Sequence, residues 1–89
     1  MKIEVLFFGQ FRELTAVHDS IFVIKDAARL VDLIEHLGEE YGVAFRQQVD
    51  SINGLRILIN GQEYTLLGGM ETPLKDGDTV VLLPPIFSG

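Results

Sequence analysis

Near the end of the chain, residues 79–83 read TVVLL, and Pro84-Pro85 follow at once. An apolar run without a polar break reads as a buried strand. Two successive prolines cannot extend it, because each lacks the N–H that a ladder needs and each fixes φ at about −65°. The strand therefore ends at Leu83, and the chain leaves the sheet in an extended, polyproline-like course. Only Ile86, Phe87, Ser88 and Gly89 remain. A fold for this sequence has to finish its core on its last strand and project a short tail from it.

The other strands follow from alternation and turn chemistry. In residues 2–8 (KIEVLFF), Ile3, Val5 and Phe7 share one face while Leu6 and Phe8 make the other face apolar too. That pattern fits a central strand covered on one side by a helix. Gly9 breaks the run, and FRELTAV is expected to be a connection to a second strand at 18–25 (HDSIFVIK). In LRILINGQEYTLL at 55–67, two strand-like runs flank Asn60-Gly61, the pair that best accepts the positive φ angles of a tight hairpin. Gly68-Gly69 marks a further loop, Thr72–Leu74 an irregular stretch, and Lys75-Asp76-Gly77-Asp78 a turn into the last strand.

A single helical stripe stands between these strands. Leu30, Leu33, Ile34, Leu37 and Tyr41 recur at helical spacing, with Asp32, Glu35, Glu39 and Glu40 away from them. Asp26 is the expected N-terminal cap and Gly42 the expected stop. Gly38 is an anomaly inside such a helix, and residues 43–53 carry no clear pattern. The order β-β-α-β-β-β gives an α+β roll: a mixed sheet of four to five strands covered by one main helix, with the first and last strands adjacent at its centre. The division expected is a domain over 1–85 and a projecting tail over 86–89.

Composition narrows the chemistry. Eighty-nine residues make one domain. The chain has no cysteine, which rules out disulfides, thiolate catalysis and thiolate metal sites. Its net charge of −6 argues against nucleic acid and against an anionic membrane surface; it would steer the chain towards a basic partner surface, or equally serve solubility alone. No targeting segment and no run of about 20 apolar residues is visible, so a cytoplasmic protein is expected. His18 and His36 are far apart with no third ligand indicated, so no metal site is expected. Glu35, Glu39 and Glu40 read as a solvated helix face. Gly68-Gly69 lacks the Lys-Ser/Thr of a phosphate loop. Arg12 and Glu13 fit an ion pair or a partner contact equally well. Nothing here forms a catalytic set, and no bound cofactor is expected.

The tail itself is then the candidate reactive group. Proline lowers the entropy cost of threading an extended segment into a partner, and a glycine end fits a narrow channel. A free Gly89 carboxylate, activated with ATP as an acyl-adenylate, could pass to a sulfur nucleophile as a thiocarboxylate or to an amine as an amide.

Three stretches carry a family resemblance. FFGQFREL at 7–14, LINGQEY at 58–64 and TPLKDGDTVVLLPPIFSG at 72–89 are similar to the ubiquitin-like β-grasp sulfur carriers, and among them to the MoaD-like small subunit of molybdopterin synthase. The resemblance implies a β-grasp roll and places the activated carboxylate on Gly89, with Pro84, Pro85, Ile86, Phe87 and Ser88 as the partner-binding tail. It implies two partners: an E1-like (MoeB-like) adenylating enzyme that uses Mg-ATP, and the large (MoaE-like) synthase subunit. Sulfur would pass to a pterin precursor in molybdenum or tungsten cofactor synthesis. Ser88-Gly89 stands where the family ends in Gly-Gly, so the hydroxymethyl group of Ser88 has to fit the partner's channel. A ubiquitin-like protein modifier, a carrier for thiazole synthesis and a non-reactive binding module are the alternatives.

Overall fold

A computed structural model of the chain describes residues 1–52 and 54–85. Five strands form one mixed sheet: β1 (Lys2–Phe7), β2 (Asp19–Val23), β3 (Arg56–Ile59), β4 (Gln62–Glu63) and β5 (Thr79–Leu83). Their order is β2-β1-β5-β3-β4. β1 and β5 are parallel neighbours, with Val5 opposite Val80 and Phe7 opposite Leu82. The expectation that the first and last strands meet at the centre is therefore borne out.

Alternation decides which face is covered. Ile3, Val5 and Phe7 of β1, Phe22 of β2, Ile57 and Ile59 of β3, and Val80 and Leu82 of β5 are buried in one cluster. The helix α2 (Leu30–Tyr41) lays Leu30, Leu33, Ile34 and Leu37 onto that face. Gly42 ends it, donating its N–H to Gly38 O at 2.8 Å. Gly38 itself lies within α2 under Arg46, whose Cβ would stand 3.7 Å from an added methyl, an ordinary contact.

Four details differ from expectation. First, the FRELTAV connection contains a short helix, α1 (Gln10–Thr15), with Phe11 and Thr15 buried one turn apart. Six residues give too few repeats to show a period, yet Phe11 packs against Phe45 with ring centroids 5.6 Å apart. Second, residues 43–51 form α3 (Val43–Ser51), which buries Phe45 and Val49, so among the described residues α1 and α3 join the one main helix that was expected. Phe45 closes an aromatic cluster with Phe7 at 6.1 Å and Tyr41 at 5.7 Å. Third, Asp26 does not cap α2. The helix starts at Leu30, and the Asp32 carboxylate accepts the Arg29 N–H at 2.8 Å. Leu30 N–H meanwhile goes to Thr72 O, which ties the helix start to the irregular stretch before β5. Fourth, β4 stops at Glu63. Tyr64–Leu66 turn into a 3-10 helix in which Leu67 and Gly68 both donate to Tyr64 O, leaving Leu66 in solvent.

The turn chemistry holds. Asn60 and Gly61 have φ of 51° and 84°. The Asn60 side chain also bonds Asp78 at 2.8 Å and accepts the Thr79 N–H at 2.9 Å. Hairpin and turn are thus locked together where β5 begins.

Candidate functional site at the base of the tail

The tail base leaves a strand that is paired on both sides. β5 is laddered to β1 on one side and to β3 on the other, and Phe8 N–H continues the first ladder to Leu82 O at 3.2 Å. Pro84 and Pro85 then leave the sheet, both half-buried. Each proline faces a glycine on a different side. A methyl built on Gly9, at φ +54°, would lie 2.5 Å from Pro84 Cγ. One built on Gly54, at φ +78°, would lie 3.2 Å from Pro85 Cβ. Positive φ favours glycine at both places, and at Gly9 the close approach of Pro84 requires it as well. The two glycines form a saddle that holds the diproline at the end of β5.

Arg12 braces the Gly9 side. Its Nε donates to Phe7 O at 3.1 Å, and its guanidinium lies 5.2 Å from the Phe8 ring centroid. Beside the ion pair and the partner contact left open for Arg12, the structure shows a further role: it pins the β1–α1 corner against which Pro84 rests. It makes no ion pair with Glu13.

The outer sheet face runs up to the same exit. Leu6, Val81 and Leu58 stand in one cross-strand row over β1, β5 and β3, all half-buried, with Leu83 beyond them. No helix of the described residues covers this row, so it offers an apolar approach to the diproline.

Among the sequence-expected site residues, Pro84 and Pro85 are placed here. Ile86, Phe87, Ser88 and Gly89 lie outside the described residues, as does the boundary between a domain ending at 85 and a tail over 86–89. His18 and His36 are not brought together: His18 is exposed, and His36 sets its ring edge-on to Phe22 at 5.7 Å. No group of three His, Cys, Asp or Glu among the described residues is arranged to hold a metal ion. No helix among them is long and apolar enough to cross a membrane. Sequence reasoning missed Gly9 and Gly54 as parts of the site. Gly9 was legible only as a strand breaker, because its partner proline lies 75 positions away in the chain.

A mixed five-stranded sheet of this order, covered on one face by helices and carrying its last strand at the centre, is the ubiquitin-like β-grasp fold. The comparisons with known proteins narrow the class. The ThiS family model matches residues 5–89, and the chain belongs to that family of ubiquitin-like sulfur carriers. It is 36% identical over 92 residues to the small archaeal modifier protein 3 of Haloferax volcanii, covering all of both chains. It is 33% identical over 89 residues to the molybdopterin synthase sulfur carrier subunit of Chlamydomonas reinhardtii, again covering both completely. Among solved structures, it matches a Haloferax volcanii protein solved in solution at a TM-score of 0.82 and 32% identity, covering 100% of this chain and 87% of that one. It also matches a chain in the complex of subunits 1 and 2 of the Helicobacter pylori molybdopterin-converting factor, at a TM-score of 0.65 and 27% identity, covering both chains fully.

Proposed function

We propose that this protein carries sulfur as a thiocarboxylate on Gly89 and donates it for molybdopterin synthesis. The observation that carries the reading is that the family match runs through Gly89 while the diproline leaves directly from the central strand. A MoeB-like, E1-like enzyme using Mg-ATP would join the Gly89 carboxylate to AMP and release pyrophosphate. Hydrosulfide from the sulfur donor would then attack the acyl carbon and expel AMP, leaving the thiocarboxylate and a proton. The large, MoaE-like subunit would receive the tail, with Pro84–Ser88 as its threading segment. The apolar row Leu6–Val81–Leu58 is the face on which such a partner would seat. The chain is the substrate in these steps and binds no cofactor itself.

A second reading is favoured by the higher identity to a modifier protein. In that reading the same acyl-adenylate passes to a lysine amine of a target and forms an amide. Both readings need Gly89, and they part at the acceptor.

The test is the intact mass of the full chain after incubation with the host E1-like enzyme, Mg-ATP and a sulfur donor. The expected gain is that of one oxygen replaced by sulfur, lost on deletion of Gly89 and retained in Ser88→Gly. Conjugates on a denaturing gel, without that gain, would select the modifier. Neither product, under conditions in which a Gly-Gly carrier reacts, would leave a non-reactive binding module. Deleting Gly89 is expected to leave folding intact, because the core closes at Leu82.

A further inference from the structure

The two edges of the sheet are unlike. β4 ends one side with two residues and turns at once into a 3-10 helix. β2 forms the other edge with five residues, and no strand of the described residues lies beyond it. The ladder fixes where its backbone groups point. Ile24 donates to Met1 O at 2.9 Å, and Phe7 donates to His18 O at 2.8 Å. In an antiparallel pair such bonding recurs at every second residue. Ser20 and Phe22, opposite Val5 and Ile3, therefore turn their N–H and C=O groups towards β1. Asp19, Ile21 and Val23 turn theirs to the open edge. The side chains of Ile21 and Val23 stand 64% and 70% exposed on the outer sheet face. Edges of this kind are usually blunted by charge, proline or a bulge; Asp19 is the one charge on β2, and Ser20–Val23 hold neither charge nor proline.

On the inner side of this edge, a groove of about 420 Å³ runs between β2 and α2. Ile24 and Ala28 give it an apolar lining, Glu35, His36 and Glu39 of α2 line it too, and the one cation in its lining, Lys25, acts on Asp32. Asp32 in the same lining is already engaged by Arg29. Glu35 and Glu39, one helical turn apart, make no ion pair with any described residue.

We propose that the β2 edge and this groove receive an extended, basic segment of a protein partner as an added strand. The outward N–H and C=O groups of Ile21 and Val23 would supply its backbone pairing. Strand alternation then dictates the rest. One set of its side chains lies beside Ile21 and Val23 on the outer face and is apolar. The other set points into the groove towards Glu35 and Glu39 and is Lys or Arg. A second copy of the chain is a poor occupant, since each copy carries a net charge of −6 and pairing would set two α2 carboxylate walls side by side. The place is also separate from the tail. Val23 pairs with Lys2, whereas Pro84 leaves beside the Phe7 end of β1, about 16 Å away at the strand rise per residue. The segment could be held while the tail is engaged elsewhere, and the proposal does not depend on the chemistry of Gly89.

The test is a titration of the ¹⁵N-labelled full chain with the capped peptide Lys-Val-Lys-Val-Lys-Val-Lys at low salt. Saturable shifts centred on the Ile21 and Val23 amides, with slowed hydrogen exchange at both, are expected. Glu35→Gln with Glu39→Gln should weaken binding about tenfold, the scale of two exposed ion pairs. Val23→Pro removes an outward N–H at an edge position that tolerates proline, and should lose binding while the unfolding temperature of the charge variant stays that of the parent. Equal binding of a block-ordered peptide of the same composition would reduce the effect to charge attraction and overturn the proposal. So would shifts confined to α2, the absence of saturable shifts, or self-association of the free chain with the two amides protected.

Discussion

Substituting Gly9 by alanine separates the two demands that the tail base makes on this position. The added Cβ would sit 2.5 Å from Pro84 Cγ and 3.3 Å from Pro84 Cδ. Gly9 also holds φ 54° and ψ −130°, which an L-residue adopts only under strain. Backbone strain of this kind costs about 1–3 kcal/mol. Overpacking costs about 1–3 kcal/mol as well, at the low end here because half-buried Pro84 can give way. The sum is about 2–4 kcal/mol, a large part of the roughly 4–13 kcal/mol expected for a domain of this length. Thermal unfolding should shift down by about 10–25 °C. The double variant Gly9→Ala/Pro84→Ala divides the sum, since removing Cγ and Cδ relieves the clash and leaves the strain. A double-mutant cycle by urea unfolding should therefore return about 1–2 kcal/mol of coupling between the two sites. A Gly9→Ala loss below about 0.5 kcal/mol, or additive effects of the two changes, would refute the saddle as a packed element.

Three further outcomes follow from named contacts. Arg12→Ala removes the bond to Phe7 O and the stack on Phe8, and should cost about 1–2 kcal/mol in urea unfolding. A loss no greater than that of Glu13→Ala would deny Arg12 its bracing role. Asp32 is held below its ordinary carboxylate value, chiefly by the Arg29 N–H it accepts. The ionised form is the one the fold favours, so its contribution is present above the usual carboxylate range and fades as pH falls through the lowered value. Asp32→Asn should be less stable than the parent at neutral pH, with the gap closing in acid; a gap unchanged at about pH 2 would contradict this. Tyr41 is pushed up, first by burial and then by the charge of Glu40. Its contribution is full below the ordinary phenol value and is lost as pH rises through the raised one. Phenolate absorbance of Tyr41 should titrate above free tyrosine, and Glu40→Gln should bring it part of the way back.

The legible parts of the fold were those whose cause lies in neighbouring residues. TVVLL followed by Pro-Pro marks the last strand, Asn60-Gly61 the hairpin, and the stripe from Leu30 to Tyr41 the main helix, because each depends on local spacing or local φ. The parts that escaped depend on tertiary contact. α1 holds its place through Phe11 against Phe45, and α3 through Phe45 against Phe7 and Tyr41, so neither shows a long enough period of its own. Asp26 has the right chemistry for a cap, but Ala27 takes φ 67° and delays the helix to Leu30. Apolar Leu66 and Leu67 look like strand residues, and the Tyr64 carbonyl instead draws the chain into a turn. The diproline was read correctly as an exit, while its two glycine supports were not, since residues 9, 54 and 84–85 meet only in the folded chain.

Placing the exit on β5 has a mechanical consequence that hydrogen exchange can read. β5 is paired along its length to β1 and to β3, so freeing any of its central residues requires two ladders to open. Those ladders carry the core residues Val5, Phe7, Ile57, Val80 and Leu82, and opening them amounts to unfolding the domain. The Val80–Leu82 amides should therefore exchange only by global unfolding and share one free energy that tracks urea stability. The Ile21 and Val23 amides face no partner strand and should exchange orders of magnitude faster. A partner that draws on the tail would then pull against a strand laddered on both sides, while one that seats on β2 would meet an open edge. If β5 exchanged by local fraying, ahead of β1, the tail would not be anchored in the core, and a stiff base for threading would have to be sought elsewhere in the chain.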